Sequence, residues 1–176
     1  MSNPDRPWSV PVRLEDVPED GLAVTVSAEP AVRDAIARLG GLTGLPRLEA
    51  RFELTRRGKG LHVSGTVSAT AGQTCSVTLE PMESEIAEPV DLLFSPDAPP
   101  EEPGPPRDPE ASDPPEPLVG GTVDLGAIAT EFVLLGIDPY PRKPGASFEP
   151  PATETSDPGP FAALAALKGG EGGGRR

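Results

Sequence analysis

Residues 48–69 read LEARFELTRRGKGLHVSGTVSA, and this stretch decides the fold. Leu48, Ala50, Phe52 and Leu54 alternate with Glu49, Arg51 and Glu53. A period of two sets one side of the segment against a core and the other in water. The polar run Arg56-Arg57-Gly58-Lys59-Gly60 leads into a second alternation, Val63, Gly65, Val67 and Ala69 against Ser64, Thr66 and Ser68. Two such runs about a glycine-containing turn predict an antiparallel hairpin.

Working outward, Gln73–Leu79 repeats the pattern, with Cys75, Val77 and Leu79 on one face and Thr74, Ser76 and Thr78 on the other. A further strand is expected near Ile86–Phe94, although Glu88 falls on its apolar face; Pro89 cannot donate to a ladder and argues for an edge. Before the hairpin, Trp8–Leu14 alternates and carries Pro11, another edge signal, and Leu22–Ala28 follows the turn at Pro18-Glu19-Asp20-Gly21. Pro30 suits the first turn of a helix in which Val32, Ala35, Ile36 and Leu39 form one stripe, with Arg33, Asp34 and Arg38 outward and Gly40-Gly41 as the stop. A second helix is predicted over 124–136: Asp124 can cap it, and Leu125, Ile128, Ala129, Phe132 and Leu135 share a face.

The 25 prolines and 20 glycines in 176 residues signal a large fraction of chain that packs no core. Ten prolines lie between Pro96 and Pro117, and residues 96–123 hold seven acids and one base. Residues 96–122 therefore read as a disordered acidic loop, within a domain spanning 1–148. Residues 149–176 read as a flexible tail with a short helix-compatible segment at 160–168, too short to persist undocked. The formal charge of −13 repels phosphate and disfavours tight non-specific nucleic-acid binding, while favouring a basic protein partner. A single cysteine excludes an internal disulfide. The opening MSNPDRPWSV lacks a secretion-signal pattern, no run approaches the roughly 20 apolar residues of a membrane span, and the cytoplasm is the expected address.

No constellation for catalysis stands out. His62, the one histidine, reads as an exposed strand-end residue. Cys75 reads as a small core hydrophobe, and one cysteine with one histidine cannot close a zinc shell. Arg57-Gly58-Lys59-Gly60 joins two strands and so lacks the strand–loop–helix setting of a phosphate cradle. The sequence thus predicts no catalytic residue, no metal and no cofactor. Two candidate contact surfaces remain for RNA or a protein partner. One is basic: Arg56, Arg57 and Lys59, together with Arg142 and Lys143. The other is the tail segment with Phe161, Leu164 and Leu167, which either docks on a partner or folds back on its own domain.

The order of these elements resembles the YceD family, the large ribosomal RNA subunit accumulation proteins. Thr74-Cys75-Ser76-Val77-Thr78-Leu79-Glu80-Pro81-Met82 is similar to that family's Cys-x-x-Cys strand motif with its Leu-Glu-Pro exit. Val123-Asp124-Leu125-Gly126-Ala127-Ile128 with Glu131, then Leu134-Leu135 and Pro139-Tyr140-Pro141, resembles its second motif. Pro160–Lys168 is similar to its Pro-Phe-x-x-Leu-x-x-Leu-Lys ending, and the Pro-Tyr-Pro-Arg-Lys-Pro turn resembles alphaproteobacterial members. The second cysteine of the motif is Thr78 here, so any metal binding by cysteine-rich relatives does not transfer. On a regular strand, Cys75 and Thr78 would also point to opposite faces.

The resemblance implies a role in large-subunit ribosomal RNA synthesis, processing or accumulation, with that RNA or a basic ribosomal protein as partner. The rival expectations are a protein-interaction domain unrelated to ribosomes and an RNA-processing enzyme. The expected fold is α+β: a mainly antiparallel sheet of five or six short strands covered on one face by two helices.

Overall fold

The computed structural model describes residues 7–98 and 114–148. The fold is α+β. A five-stranded sheet runs in the order β2 (Leu22–Ser27), β3 (Gly44–Arg57), β4 (Gly60–Thr74), β5 (Pro81–Ser95) and β6 (Glu116–Pro117). All neighbours are antiparallel except β5 and the two-residue β6. A small second sheet pairs β1 (Pro11–Arg13) with β7 (Thr122–Asp124). Helices α1 (Pro30–Leu39) and α2 (Leu125–Leu135) complete it. The chain divides at Ala146/Ser147 into two units, and only Ser147 and Phe148 of the second are described. No helix among the described residues is long and apolar enough to cross a membrane.

The register explains the inner face. Leu22, Leu54, Val63 and Leu92 form one cross-strand row; Val24, Phe52, Gly65 and Val90 form the next; Leu48, Ala69 and Ile86 form another. Helix α1 packs over β3, and α2 packs over β4 and β5. Both contribute to the same core as these rows, with Ile36, Leu125, Ala129 and Val133 fully buried or nearly so. The outer face keeps the polar alternation. Arg47 meets Glu85 at 2.8 Å, Arg51 meets Glu49 at 2.9 Å, and His62 Nε2 lies 2.8 Å from Asp91 Oδ1. Exposed pairs of this kind contribute about 0–1 kcal/mol each, so the inner rows hold the sheet.

Several expectations are corrected. The hairpin strands are nearly twice the predicted length, and β5 begins at Pro81 instead of near Ile86. Residues 75–79 are no strand: β4 ends at Thr74, and Cys75–Glu80 is a turn. In α1 the buried pair is Ile36 and Ala37, whereas Leu39 is exposed. Arg33, expected outward, is half-buried and donates to the carbonyls of Ala28 at 2.6 Å and Leu45 at 3.0 Å, which anchors the helix start to the preceding strand and to β3. Leu135 is likewise exposed in α2, where Gly126, Thr130 and Val133 take the buried positions. Order resumes earlier than Val123: β6, a 3-10 turn at Val119–Gly121 and the buried Leu118 all lie in the stretch assigned to the acidic loop. Residues 99–113 of that loop, and the tail segment 160–168 with Phe161, Leu164 and Leu167, lie outside the described residues.

Asp124 organises the N-terminal segment and α2 together. Its Oδ1 accepts from the backbone N–H of Gly126 (3.1 Å) and Ala127 (3.2 Å), the cap predicted from sequence. The same carboxylate accepts from Val10 N–H at 2.7 Å and from the Ser9 hydroxyl at 2.7 Å. A β-carbon at Gly126 would fall 2.9–3.0 Å from the backbone of Trp8 and Ser9, so this glycine admits the crossing. Loss of a cap alone costs about 1 kcal/mol, and hydrogen bonds to a charged group about 1.5–3 kcal/mol. Asp124→Ala is therefore expected to destabilise the domain by about 3 kcal/mol, read as a lower urea midpoint at unchanged slope, with Asp124→Asn intermediate.

Candidate partner-binding surface

The predicted basic surface does not form a single patch. Arg57 and Lys59 are exposed at the β3–β4 turn, with Lys59 Nζ only loosely near Asp97 Oδ2 at 3.9 Å. Arg56 shares the inner-face row of Leu61 and Phe94, and its guanidinium bends over the preceding loop. It donates through Nε to Val17 O at 2.6 Å and through Nη2 to Glu15 O at 3.0 Å. Arg142 and Lys143 lie against the opposite end of β4, beside Cys75. Fifteen residues of strand separate the two ends, a span of roughly 45 Å at about 3.3 Å per residue.

The end carrying Arg142 and Lys143 is the more tightly built. The Cys75–Glu80 turn closes through Cys75 N–H to Glu80 O and Leu79 N–H to Cys75 O, both 2.9 Å. The Asp138–Lys143 loop then lies along it. Ser76 donates to Pro141 O through its N–H (2.8 Å) and its hydroxyl (3.1 Å). The Lys143 ammonium donates to Glu80 Oε2 at 2.8 Å. Gln73, buried on the inner face of β4, donates from Nε2 to Asp138 O at 2.7 Å.

Cys75 sits within this seam with no exposed surface. Thr78 N–H donates to its Sγ at 3.5 Å, and Lys143 N–H at 3.4 Å. The turn thus brings Cys75 and Thr78 together, where a continuous strand would have parted them. The thiol is pushed down from 9.0 to about 6. The Thr78 hydroxyl is the main cause, followed by the N–H groups of Lys143 and Thr78, with burial opposing them. The Glu80 carboxyl is also held low, chiefly by its hydrogen bond with Lys143. Among the described residues no three histidine, cysteine, aspartate or glutamate side chains gather as a metal site. An enclosed sulfur with two backbone donors ties loops together; its lack of access withholds it from solution chemistry.

What this end offers to solution is apolar. Leu79 is 77% exposed and Tyr140 73%, on the two sides of the seam. Leu39 and Leu135, also exposed, belong to the same end, since the ends of α1 and α2 meet there: a β-carbon at Gly40 would lie 2.8 Å from Ile137 and 3.0 Å from Leu134. Leu79 has φ 58, in the left-handed region that non-glycine residues adopt at a cost of roughly 1 kcal/mol. Tyrosine and arginine on a rigid base are the residue types that dominate binding energies, and Arg142 is exposed beside Tyr140. The sequence points to Arg142 and Lys143 at this end but not to Leu79 and Tyr140, because the alternation over 73–79 reads as a strand. The Leu-Glu-Pro exit at 79–81 and the proline-rich 139–144 were the signals of a loop pair.

A family model described as "Large ribosomal RNA subunit accumulation protein YceD" matches residues 63–168. This chain belongs to the YceD family. The matched region takes in β4 from Val63 onward, the Cys75–Glu80 turn, α2 and the 138–143 loop, so the seam is built wholly of family sequence. Neither the curated proteins nor the solved structures contain a match.

Because the folded thiol is depressed, the unfolded chain holds the extra proton between about pH 6 and pH 9. The ionised sulfur's contribution to stability is therefore complete above about pH 9 and is lost as pH falls through about 6. The melting temperature of the wild type relative to Cys75→Ser should rise over that window and level off above it. A flat difference would assign the sulfur no ionised role.

Proposed function

We propose that this protein is a non-catalytic binding factor that supports accumulation of large-subunit ribosomal RNA. The observation that carries the reading is the family match over residues 63–168. The concentration of exposed Leu39, Leu79, Leu135 and Tyr140 at one braced end supports binding as the mode of action, since exposed apolar clusters rimmed by polar groups suit protein contacts. The acidic character of the chain makes a basic ribosomal protein the natural partner for that end, with RNA contact confined to local cationic points. The setting of such a factor is the cytoplasm, where ribosomal subunits are assembled.

Depletion should lower large-subunit ribosomal RNA relative to small-subunit RNA; an unchanged ratio would end this reading. Purified protein incubated with precursor RNA and a divalent cation should leave the RNA intact, and cleavage would make the protein an enzyme. Leu79→Asp combined with Tyr140→Ser should reduce co-purification with ribosomal particles about tenfold, with the melting temperature unchanged. The paired change Arg57→Glu and Lys59→Glu, at the far end of β4, tests the basic turn separately. It is expected to weaken association and to make it less salt-dependent.

A further inference from the structure

A hollow of about 440 Å³ opens beside the small sheet, lined by Arg13, Leu14, Glu15 and Arg56 and by residues 120–122. We propose that it holds an RNA phosphodiester group. The inference rests on the ribosomal RNA reading for the source of the phosphate, but its chemistry comes from the hollow alone.

Three features converge there. First, the Arg56 guanidinium is fixed in place by two backbone carbonyls, Val17 O at 2.6 Å and Glu15 O at 3.0 Å. Guanidinium carries five N–H donors. Bonding through Nε and one Nη2 hydrogen leaves three, including both on Nη1, on a side chain already fixed at the hollow's edge, so an anion is bound with little further loss of side-chain freedom. Second, Arg13 lies alongside, its residue opposite Thr122 in the β1–β7 pairing. Its only partner among the described residues is Glu15, at 3.0 Å between side chains about 70% exposed. Such a pair contributes about 0–1 kcal/mol, so a phosphate with bidentate geometry can displace the Glu15 carboxylate. Third, the opposite wall is bare backbone. Gly120 and Gly121 take φ values of 61 and 67, and a β-carbon on either would meet nothing within 4 Å. The wall therefore stays open to a ligand's close approach.

The charge balance points the same way. In a chain of net charge −13, this hollow has two guanidinium groups against a single carboxylate in its lining. That carboxylate occupies the position an incoming anion would take from it. The arrangement separates this hollow from the basic turn at Arg57 and Lys59, which has charge but no enclosing wall.

The test uses the full chain and two probes, inorganic phosphate and a fluorescein-labelled 12-nucleotide oligouridylate. Arg56 variants are avoided because that side chain braces the 15–17 backbone; the exposed Arg13 and Glu15 are changed instead. Phosphate should shift the NMR signals of the Gly120 and Gly121 amides and of Arg56 Nε–H. Arg13→Gln should weaken oligouridylate binding about fivefold and lower its salt slope by about one. Glu15→Gln, by removing the competing anion, should tighten it. Absence of those shifts, or equal RNA binding by wild type, Arg13→Gln and Glu15→Gln, would overturn the proposal. Shifts with phosphate but an RNA affinity indifferent to both substitutions would overturn the RNA assignment. None of these readouts depends on cellular RNA levels, so failure here and failure of the ribosomal reading are separable.

Discussion

The domain closes through the Asp124 carboxylate, which accepts from four donors in two distant segments: Ser9 and Val10 on one side, Gly126 and Ala127 on the other. Eleven residues make a helix that would be marginal alone in water. Capping and docking together hold α2 over β4 and β5, where Leu125, Ala129 and Val133 complete the inner rows. Without that cover, Ile86, Val90 and Val67 would face solvent. One polar group thus sets where a large apolar surface goes, because its hydrogen bonds are directional and the hydrophobic contacts are not.

The placement of α2 has a consequence at its other end. Gly136 ends the helix beside β5, and the chain passes through Ile137 into the 138–143 loop, which closes on the Cys75 turn. Several hydrogen bonds cross this seam, each with a net worth of about 1 kcal/mol. Together they exceed the roughly 1 kcal/mol cost of the left-handed Leu79. The strain therefore persists, and it holds an apolar side chain out in solvent. Cys75 is the common point of the two loops; its sulfur takes one donor from each. Thr78 ties the turn on its own side, its N–H donating to Cys75 Sγ and its hydroxyl to Glu80 Oε2.

Much of the fold was legible in the sequence. Period-two alternation gave β2, β3 and β4, and Pro30 with Gly40 gave both ends of α1. Asp124 announced α2 by its chemistry as a cap. The errors share a cause. Cys75, Val77 and Leu79 alternate as well as any strand does, but alternation cannot register a tertiary hydrogen bond from Lys143, 68 residues away. Arg33, expected outward, and Arg56, expected in the basic contact surface, depart for the same reason: their partners are backbone carbonyls, which leave no mark in side-chain patterning. The early return of order at Glu116 was hidden by Pro114, Pro115 and Pro117, since composition alone does not show that Leu118 N–H donates to Ser95 O. The candidate surfaces were legible as residue types and illegible as geometry, with Arg56 diverging from Arg57 and Lys59 beside it and segments more than 60 residues apart meeting.

The cations are divided by what already engages them. Arg33 and Arg56 serve backbone carbonyls, and Arg47 and Arg51 meet glutamates on the open sheet face. That face carries Glu49, Glu53, Glu83, Glu85 and Asp91 against Arg47, Arg51 and Arg57, and this acidic excess keeps it from acting as a broad nucleic-acid platform. Any phosphate contact must then come from a few positions where geometry outweighs the repulsive field. A guanidinium fixed in advance meets that condition better than a mobile one, because the ordering cost falls on folding instead of on binding. The same bracing that removes Arg56 from the exposed hairpin tip is what would make it effective where it lies.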